Sequence, residues 1–152
     1  MTKHLFKLKF REFLTSLQEK ICKNNEWKIK GFIDSDKNIF SLSNDTKVIS
    51  KILEIHIFPY ILDFANQNGF EIVLPAHQNY YPDLSFVLKS DSTIKFAVDL
   101  KTTYRNEKNP VLCNGFTLGS HGEYFKNQES SKNIQFPYKQ YLGHFCLGVV
   151  YD

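Results

Sequence analysis

The sequence predicts an α+β fold in which a mixed sheet is flanked by helices, and three observations along its 152 residues support this class. Apolar residues recur at helical spacing in the first half of the chain. After residue 70 the period changes to two, which is typical of strands. An apolar, β-prone stretch at 145–151 predicts a further, buried strand. The apolar share of 42% indicates a chain that folds around a core.

The first helix is predicted over residues 3–22, where apolar side chains recur every three or four positions and form one face. A hairpin is predicted next. Residues 27–33 and 39–42 alternate apolar with polar side chains, and residues 35–38 between them are turn-forming types.

A second helix is predicted after the hairpin, with a start, an interruption and an end. Asn44 or Asp45 can cap its first turn, because their short polar side chains accept hydrogen bonds from the first amides of a helix. Pro59 is expected to kink or split it, because proline removes a backbone donor and clashes with the preceding turn. Gly69 is expected to end it.

The second half predicts a β-meander beside these helices. The expected strands are 71–74, 84–89 and 94–101, with a polar loop at 75–81 and a turn at 90–93.

Downstream of that meander, the sequence carries weaker signals. Residues 102–132 are rich in Asn, Lys, Gly and Ser and are expected to be irregular, apart from an ordered stretch at 116–118. A short helix is expected from Pro137 toward His144. His56, His121 and His144 lack metal-ligand spacing, so we expect them to be surface or hydrogen-bonded core residues.

Charge and cysteine content narrow the functional classes. Eight basic and three acidic side chains give residues 1–30 a charge of about +5, which fits either a solvated helix face or attraction to DNA. Cys22, Cys113 and Cys146 form no CxxC pair, so neither a zinc knuckle nor a disulfide framework is indicated. Reduced thiols, no signal peptide and no membrane span predict a cytoplasmic protein.

Three charged residues stand out at the ends of two predicted strands. Asp83 precedes one strand, and Asp99 and Lys101 end the next. Side chains two residues apart share a face of a strand, so Asp99 and Lys101 point the same way. If the two strands pair around the turn at 90–93, the open end of that hairpin brings Asp83 beside Asp99.

Two carboxylates and one ammonium suit phosphodiester hydrolysis. Mg²⁺ prefers oxygen ligands, lowers the pKa of a bound water and polarises phosphate. A lysine beside it can hold the attacking hydroxide and offset charge on the phosphate. The pattern alone also fits ordinary surface charges, with Lys101 a solvated lysine and Asp83 a turn former after Pro82.

Consecutive stretches in the same order resemble the EcoRV-like type II restriction endonucleases of the PD-(D/E)xK nuclease superfamily. They are NDTKVIS at 44–50, QNYYPD at 78–83, IKFAVDLKTTY at 94–104, FTLG at 116–119, KNI at 132–134, FPY at 136–138 and QY at 140–141. The resemblance runs from about residue 26 to the end, so the chain is similar to a single (partial) restriction-endonuclease-like domain over 1–152, truncated at its C-terminus.

The resemblance implies roles for particular residues. Asp83 and Asp99 match the metal-binding aspartates, Lys101 matches the catalytic lysine, and Glu54 matches the acidic residue of a further metal site, with Mg²⁺ as the cofactor. Without the family, Glu54 fits a helix surface equally well. The positions that match DNA contacts or lie near the active centre are Lys47, Gln78, Asn79, Thr102, Thr103, Thr117, Lys126, Lys132 and Asn133. His77 departs from the family, which has glutamine there, and two extra residues loosen the match around Lys126.

The resemblance also implies partners. These are double-stranded DNA, a second copy of the chain contacted through the hairpin at about 24–43, and a cognate DNA methyltransferase as genetic partner; the recognition sequence would be GATATC. The family's major-groove reader lies beyond the strand that ends at Tyr151. Three functions therefore stay open, namely an EcoRV-like site-specific enzyme, an inactive remnant or non-cleaving DNA-binding module, and a less specific PD-(D/E)xK repair or junction nuclease.

Overall fold

The computed structural model describes residues 1–24, 26–42, 46–106, 108–113, 115–116 and 122–151. The chain divides into two compact units. One comprises His4–Phe64, and the other comprises Met1–Lys3 and Ala65–Asp152. Whether they fold as the single domain that the sequence predicts stays a prediction. The expected helix cap at Asn44 or Asp45 lies outside the described residues, as do Thr117 and His121.

Helix α1 confirms the first predicted helix and spans Lys3–Ile21. Its apolar stripe is buried, and the buried side chains are Phe6, Phe10, Phe13 and Leu17. The rings of Phe10 and Phe13 pack on Phe64 of the second helix, with centroids 5.5 Å and 4.9 Å away. Aromatic pairs at such separations stabilise beyond the area that they bury.

Helix α2 spans Thr46–Gln67 without a break, so a split at Pro59 is wrong. Proline costs one backbone hydrogen bond inside a helix, but packing can outweigh that loss. Ile57 and Ile61 on either side of Pro59 are 2% and 0% exposed. Burial of both side chains holds the helix together through the proline.

Gly69 confirms the predicted end of α2. Its φ of 75° lies in the left-handed region, which glycine adopts without steric cost. Its amide donates to the carbonyl of Asn66 at 3.2 Å, so one of the last carbonyls of the helix gains a partner.

Two short antiparallel pairs connect the helices. Strands β1 (Cys22–Lys23) and β2 (Glu26–Trp27) form the first pair, and β3 (Gly31–Ile33) and β4 (Ile39–Ser41) form the second. The predicted hairpin is therefore confirmed for its inner part only. The Lys28 amide donates to the last carbonyl of α1, 3.0 Å away, which draws the chain at 27–28 back to the helix end instead of into the hairpin.

The hairpin β3–β4 presents apolar side chains to solvent. Phe32 and Phe40 face each other across the pair and stack, with centroids 5.1 Å apart. Ile33 and Ile39 are 62% and 82% exposed. The hairpin therefore carries four exposed apolar side chains on its two strands.

The larger unit is built on a mixed five-stranded sheet, as the sequence predicts. Its strands are β5 (Phe70–Val73), β6 (Leu84–Leu88), β7 (Asp91–Asn106), β8 (Asn109–Cys113) and β9 (Gly143–Tyr151). β5 to β8 pair antiparallel in chain order, and β9 pairs with β7 in parallel.

Strand β7 is longer than the sequence indicates. Residues 102–106 continue it and β8 turns back on it, so the irregular segment expected from residue 102 is wrong in its first part. β9 explains the extension, because it pairs with β7 from Phe96 to Tyr104 and supplies hydrogen bonds that local sequence does not reveal. The turn before β7 also lies earlier than expected, at residues 89–90.

Two short helices complete this unit. Helix α3 spans Glu123–Lys126, and a 3-10 helix, η1, spans Tyr138–Gln140. The predicted helix from Pro137 is thus a single turn, and Gly143 already belongs to β9. None of the described helices is long and apolar enough to span a membrane.

Candidate active site

The pairing of β6 with β7 brings Asp83 beside Asp99. Leu84 lies opposite Val98 in the antiparallel register, so the residue before Leu84 meets the residue after Val98. The Asp83 carboxylate accepts a hydrogen bond from the amide of Leu100 at 2.6 Å, which fixes it against β7. The two aspartates are therefore neighbours at one end of the hairpin.

Lys101 joins the pair from the same strand. Its ammonium forms an ion pair with the Asp99 carboxylate, and the two side chains are only 24% and 12% exposed. Ion pairs with this little exposure are weakly screened by solvent. Asp83, Asp99 and Lys101 thus form one partly enclosed cluster of charges, which we call the charged cluster.

The electrostatics of the charged cluster disfavour two bare carboxylates. Burial, followed by the neighbouring Asp99 carboxylate, raises the pKa of Asp83 to about 6, and the Leu100 amide and Lys101 oppose this rise only in part. When a cation binds beside a carboxyl whose pKa is raised in this way, it stabilises the charged form of that carboxyl.

The donor set of the cluster fits a hard divalent cation such as Mg²⁺. Both aspartates offer oxygen ligands, and Mg²⁺ commonly takes one or two carboxylates and keeps several waters. Two carboxylates are therefore a workable part of a Mg²⁺ site. Over the described part of the chain, no group of three or more His, Cys, Asp or Glu side chains gathers to hold a metal ion.

Glu54 belongs to the helical unit. It lies on α2, and its carboxylate forms an ion pair with Lys51 at 2.6 Å, one turn earlier. The side chain is 38% exposed, so it does not need a metal to offset burial. Its assignment to a further metal site stays a prediction.

β9 contributes neighbours to the face of the charged cluster. Cys146 lies opposite Asp99 and Gly148 opposite Lys101 in the parallel register. Burial and the Asp99 carboxylate raise the pKa of the Cys146 thiol. A Cβ added at Gly148 would lie 2.9 Å from the Phe116 ring, so the glycine leaves room for Phe116 over this face. Phe116 directly precedes Thr117, a predicted DNA contact outside the described residues.

The predicted minor-groove residues Gln78 and Asn79 lie in an exposed loop between β5 and β6. The loop is tied at both ends. The Ala76 amide donates to the side-chain oxygen of Gln135 at 2.9 Å, and the Tyr80 amide closes a turn on the carbonyl of His77. Both amide side chains are therefore held near the strand that starts after Asp83 and face solvent.

The other predicted DNA contacts fall in different environments. Lys47, Lys126 and Lys132 are exposed, and Thr102 is half-buried. Thr103 is 5% exposed, so it offers almost no surface to a partner and serves packing in this conformation. Asn133 is half-buried, with a positive φ of 55°.

Sequence patterns gave no sign of a polar aromatic cluster behind Asp83. His144 of β9 stacks on Tyr138 with centroids 3.7 Å apart, and its Nδ1 lies 2.9 Å from the hydroxyl of Tyr81. Burial lowers the pKa of His144 to about 4, so the ring is neutral. His144 is half-buried and hydrogen-bonded, which agrees with the expectation of a surface or hydrogen-bonded core residue.

Comparisons with known proteins agree with these observations. Residues 23–152 match the family model described as restriction endonuclease EcoRV. The chain is 37% identical over 128 residues to the type II restriction enzyme EcoRV of Escherichia coli, an alignment that covers 84% of this chain and 51% of that enzyme. The chain therefore spans about half the length of the relative that it matches.

Proposed function

This chain belongs to the EcoRV restriction endonuclease family, and from that membership we propose that it carries the cleavage centre of a type II restriction endonuclease. The substrate is double-stranded DNA, and the reaction is hydrolysis of phosphodiester bonds. One observation carries the proposal, namely the meeting of Asp83, Asp99 and Lys101 in one partly enclosed cluster.

Each member of the charged cluster has a proposed part. Asp83 and Asp99 hold Mg²⁺, which, when bound, supplies charge stabilisation at the phosphate and a more acidic water. Asp99 orients the Lys101 ammonium through their ion pair. Lys101 then stabilises negative charge that develops on the phosphate or on an attacking hydroxide. Glu54 is proposed to contribute to a further metal site.

DNA is proposed to contact polar and basic residues of both units. Gln78 and Asn79 offer amide donors and acceptors that suit minor-groove edges. Lysine, asparagine and threonine side chains suit phosphates. The proposed contacts besides the loop are Lys47, Thr102, Thr103, Thr117, Lys126, Lys132 and Asn133, with Thr103 the weakest because of its burial.

The family also motivates finer proposals. The recognition sequence is GATATC, a cognate methyltransferase protects that site, and the enzyme acts in the cytoplasm. A homodimer would cover the exposed side chains of the hairpin β3–β4, including Ile33 and Ile39. Such burial removes apolar area from water and favours association.

Cleavage of supercoiled plasmid tests the proposed function. We expect the purified chain to nick DNA in Mg²⁺ and to be inactive in EDTA. Asp99→Ala should reduce the rate by roughly 10²–10³-fold or more, because it removes both a metal ligand and the partner of Lys101. Asp91→Ala, at the opposite end of β7, is the matched control and should cut at the original rate.

A folded chain that binds DNA but never nicks it, with any divalent metal, would contradict the proposed cleavage centre and favour a binding module. Equal cutting by Asp99→Ala would remove the cluster from the mechanism. Nicking of plasmids without GATATC would favour the less specific nuclease.

A further inference from the structure

The Asp83 carboxylate can keep its contact with β7 only if the chain around it is fixed. Its carboxylate accepts from the Leu100 amide at 2.6 Å and lies beside Asp99. Asp83 comes just before the first residue of β6, where the ladder to β7 begins. The Leu100 amide restrains the carboxylate itself, and the chain before Asp83 must also be restrained if this contact is to persist.

Tyr81, two residues before Asp83, is restrained on three sides. Its amide donates to the carbonyl of Asn133 at 2.9 Å, and its carbonyl accepts from the amide of Gln135 at 2.8 Å. These two bonds flank a parallel bridge to Ile134. Its hydroxyl lies 2.9 Å from Nδ1 of His144 on β9.

The partners of His144 define its tautomer. Nε2 lies 3.3 Å from the carbonyl of Tyr138, which can only accept, so Nε2 carries the proton. Nδ1 is then an acceptor, and the Tyr81 hydroxyl donates to it. The ring is held flat against Tyr138, with an interplanar angle of 9°, so the acceptor points in a fixed direction.

From this geometry we propose that Tyr81 and His144 are positioning residues for cleavage: the hydrogen bond from Tyr81 to His144 anchors the chain before Pro82 to β9 and thereby holds the Asp83 carboxylate against the Leu100 amide. This proposal rests on the proposed function for its catalytic meaning. Its geometric part concerns the metal-free protein and is tested separately.

Hydrogen exchange at the Leu100 amide reports the position of Asp83 directly, because that amide donates to the carboxylate. In the metal-free protein, Tyr81→Phe should lower the protection of Leu100 by about five- to tenfold, the effect of losing one partly buried hydrogen bond. Protection of Val98, inside the β6–β7 ladder, should stay unchanged.

Tyr141→Phe is the matched control. Tyr141 packs with Tyr81 and Tyr138 in one hydrophobic cluster. Its hydroxyl lies 2.8 Å from the Ser85 hydroxyl, and both groups are buried. The change removes the same atom together with its hydrogen bonds to Ser85 and to the backbone of Phe136, neither of which contacts Asp83. Ser85 is also fixed by its place in the β6–β7 ladder. Tyr141→Phe should therefore lower global stability without selective loss of protection at Leu100.

Two substitutions of His144 separate its ring nitrogens. His144→Asn keeps an acceptor near the position of Nδ1 and should retain most of the Leu100 protection. His144→Gln keeps a donor near the position of Nε2 and should lose protection as Tyr81→Phe does. Rescue by asparagine alone is a result that general loss of packing would not produce.

Metal binding gives the second measurement. The half-saturating Mg²⁺ concentration, followed by calorimetry, should rise about five- to tenfold in Tyr81→Phe and stay unchanged in Tyr141→Phe. Wild-type Leu100 protection in Tyr81→Phe, or equal losses in both tyrosine variants, would overturn the positioning role. Failure of the wild-type chain to bind Mg²⁺ while Leu100 responds as expected would instead contradict the proposed function alone.

Discussion

The phenylalanine packing between α1 and α2 and the charged cluster, where β6 begins beside the middle of β7, differ in the kind of side chain that they bury. Around Phe10, Phe13 and Phe64, apolar rings contact one another, and none of the buried polar side chains among the described residues belongs to this unit. At Asp83 and Asp99, two carboxylates share a partly buried place and one has a raised pKa. The first region gains stability from every contact. The second region loses stability by burying like charges, and such local costs are typical of functional sites.

The largest change in stability is expected from truncating a buried side chain in the apolar region. Phe10 is 3% exposed, and Phe10→Ala should lower the free energy of unfolding by about 3–5 kcal/mol. Leu8 on the same helix is 44% exposed, and Leu8→Ala should change it by less than about 0.5 kcal/mol. Urea denaturation of both variants measures the difference. Equal losses would show that the phenylalanine stripe is not the core of this unit.

The charged cluster should respond in the opposite direction. Asp83→Asn removes a disfavoured charge, and we expect it to stabilise the metal-free protein at pH 7.5 by about 1–2 kcal/mol, after allowance for solvent screening. The sign follows from the raised pKa of Asp83. Stability from this group is full below the unfolded pKa of about 3.8 and is lost as the pH rises through about 6.

Denaturation of Asp83→Asn at pH 4 and pH 7.5 in EDTA checks this sign. The gain should be small at pH 4 and full at pH 7.5. Saturating Mg²⁺ should stabilise the original chain more than the variant, because ligand binding to the folded state adds to stability. Asp63→Asn, at an exposed position on α2, is the control. A loss of stability in Asp83→Asn at pH 7.5 would contradict the unfavourable electrostatics.

The smallest effect is expected at the exposed edge of α1. Lys7 lies one turn from Lys3 and from Arg11, and the first turn of the helix has no acidic residue. Like charges at this spacing, near the positive end of the helix dipole, are mildly unfavourable. Lys7→Gln should therefore raise the free energy of unfolding by about 0.3–0.5 kcal/mol. Its thermal midpoint at low salt tests this, and the gain should shrink at high salt.

The two regions also differ in how far the sequence foretold them. A stripe of apolar residues along one helix is a local pattern, so α1 and its buried residues follow from spacing alone. The neighbours Asp99 and Lys101 follow from strand periodicity. The sequence places Asp83 beside them only on the assumption that the two strands pair. The structure has this pairing, with Leu84 opposite Val98.

Other features depend on partners distant in sequence. The extension of β7 past Lys101 pairs with β9, some forty residues later. Thr102, Thr103 and Tyr104 are strand-favouring types, but so short a run does not predict a continued strand by itself. Continuity of α2 through Pro59 depends on the burial of Ile57 and Ile61. The bond from Tyr81 to His144 joins positions 63 residues apart, and no sequence pattern links the two. Single-sequence patterns miss such features because non-local packing decides them.

The extended backbone of β7 fixes one distance within the charged cluster. Asp99 and Lys101 sit two residues apart on one extended strand, so bond lengths and angles set their backbone separation at about 6.6–6.8 Å. No packing change elsewhere can alter that spacing without breaking the strand. The position of Asp83 depends on strand pairing and not on bond lengths, so across related chains the geometry of the charged cluster should vary more at Asp83 than between Asp99 and Lys101.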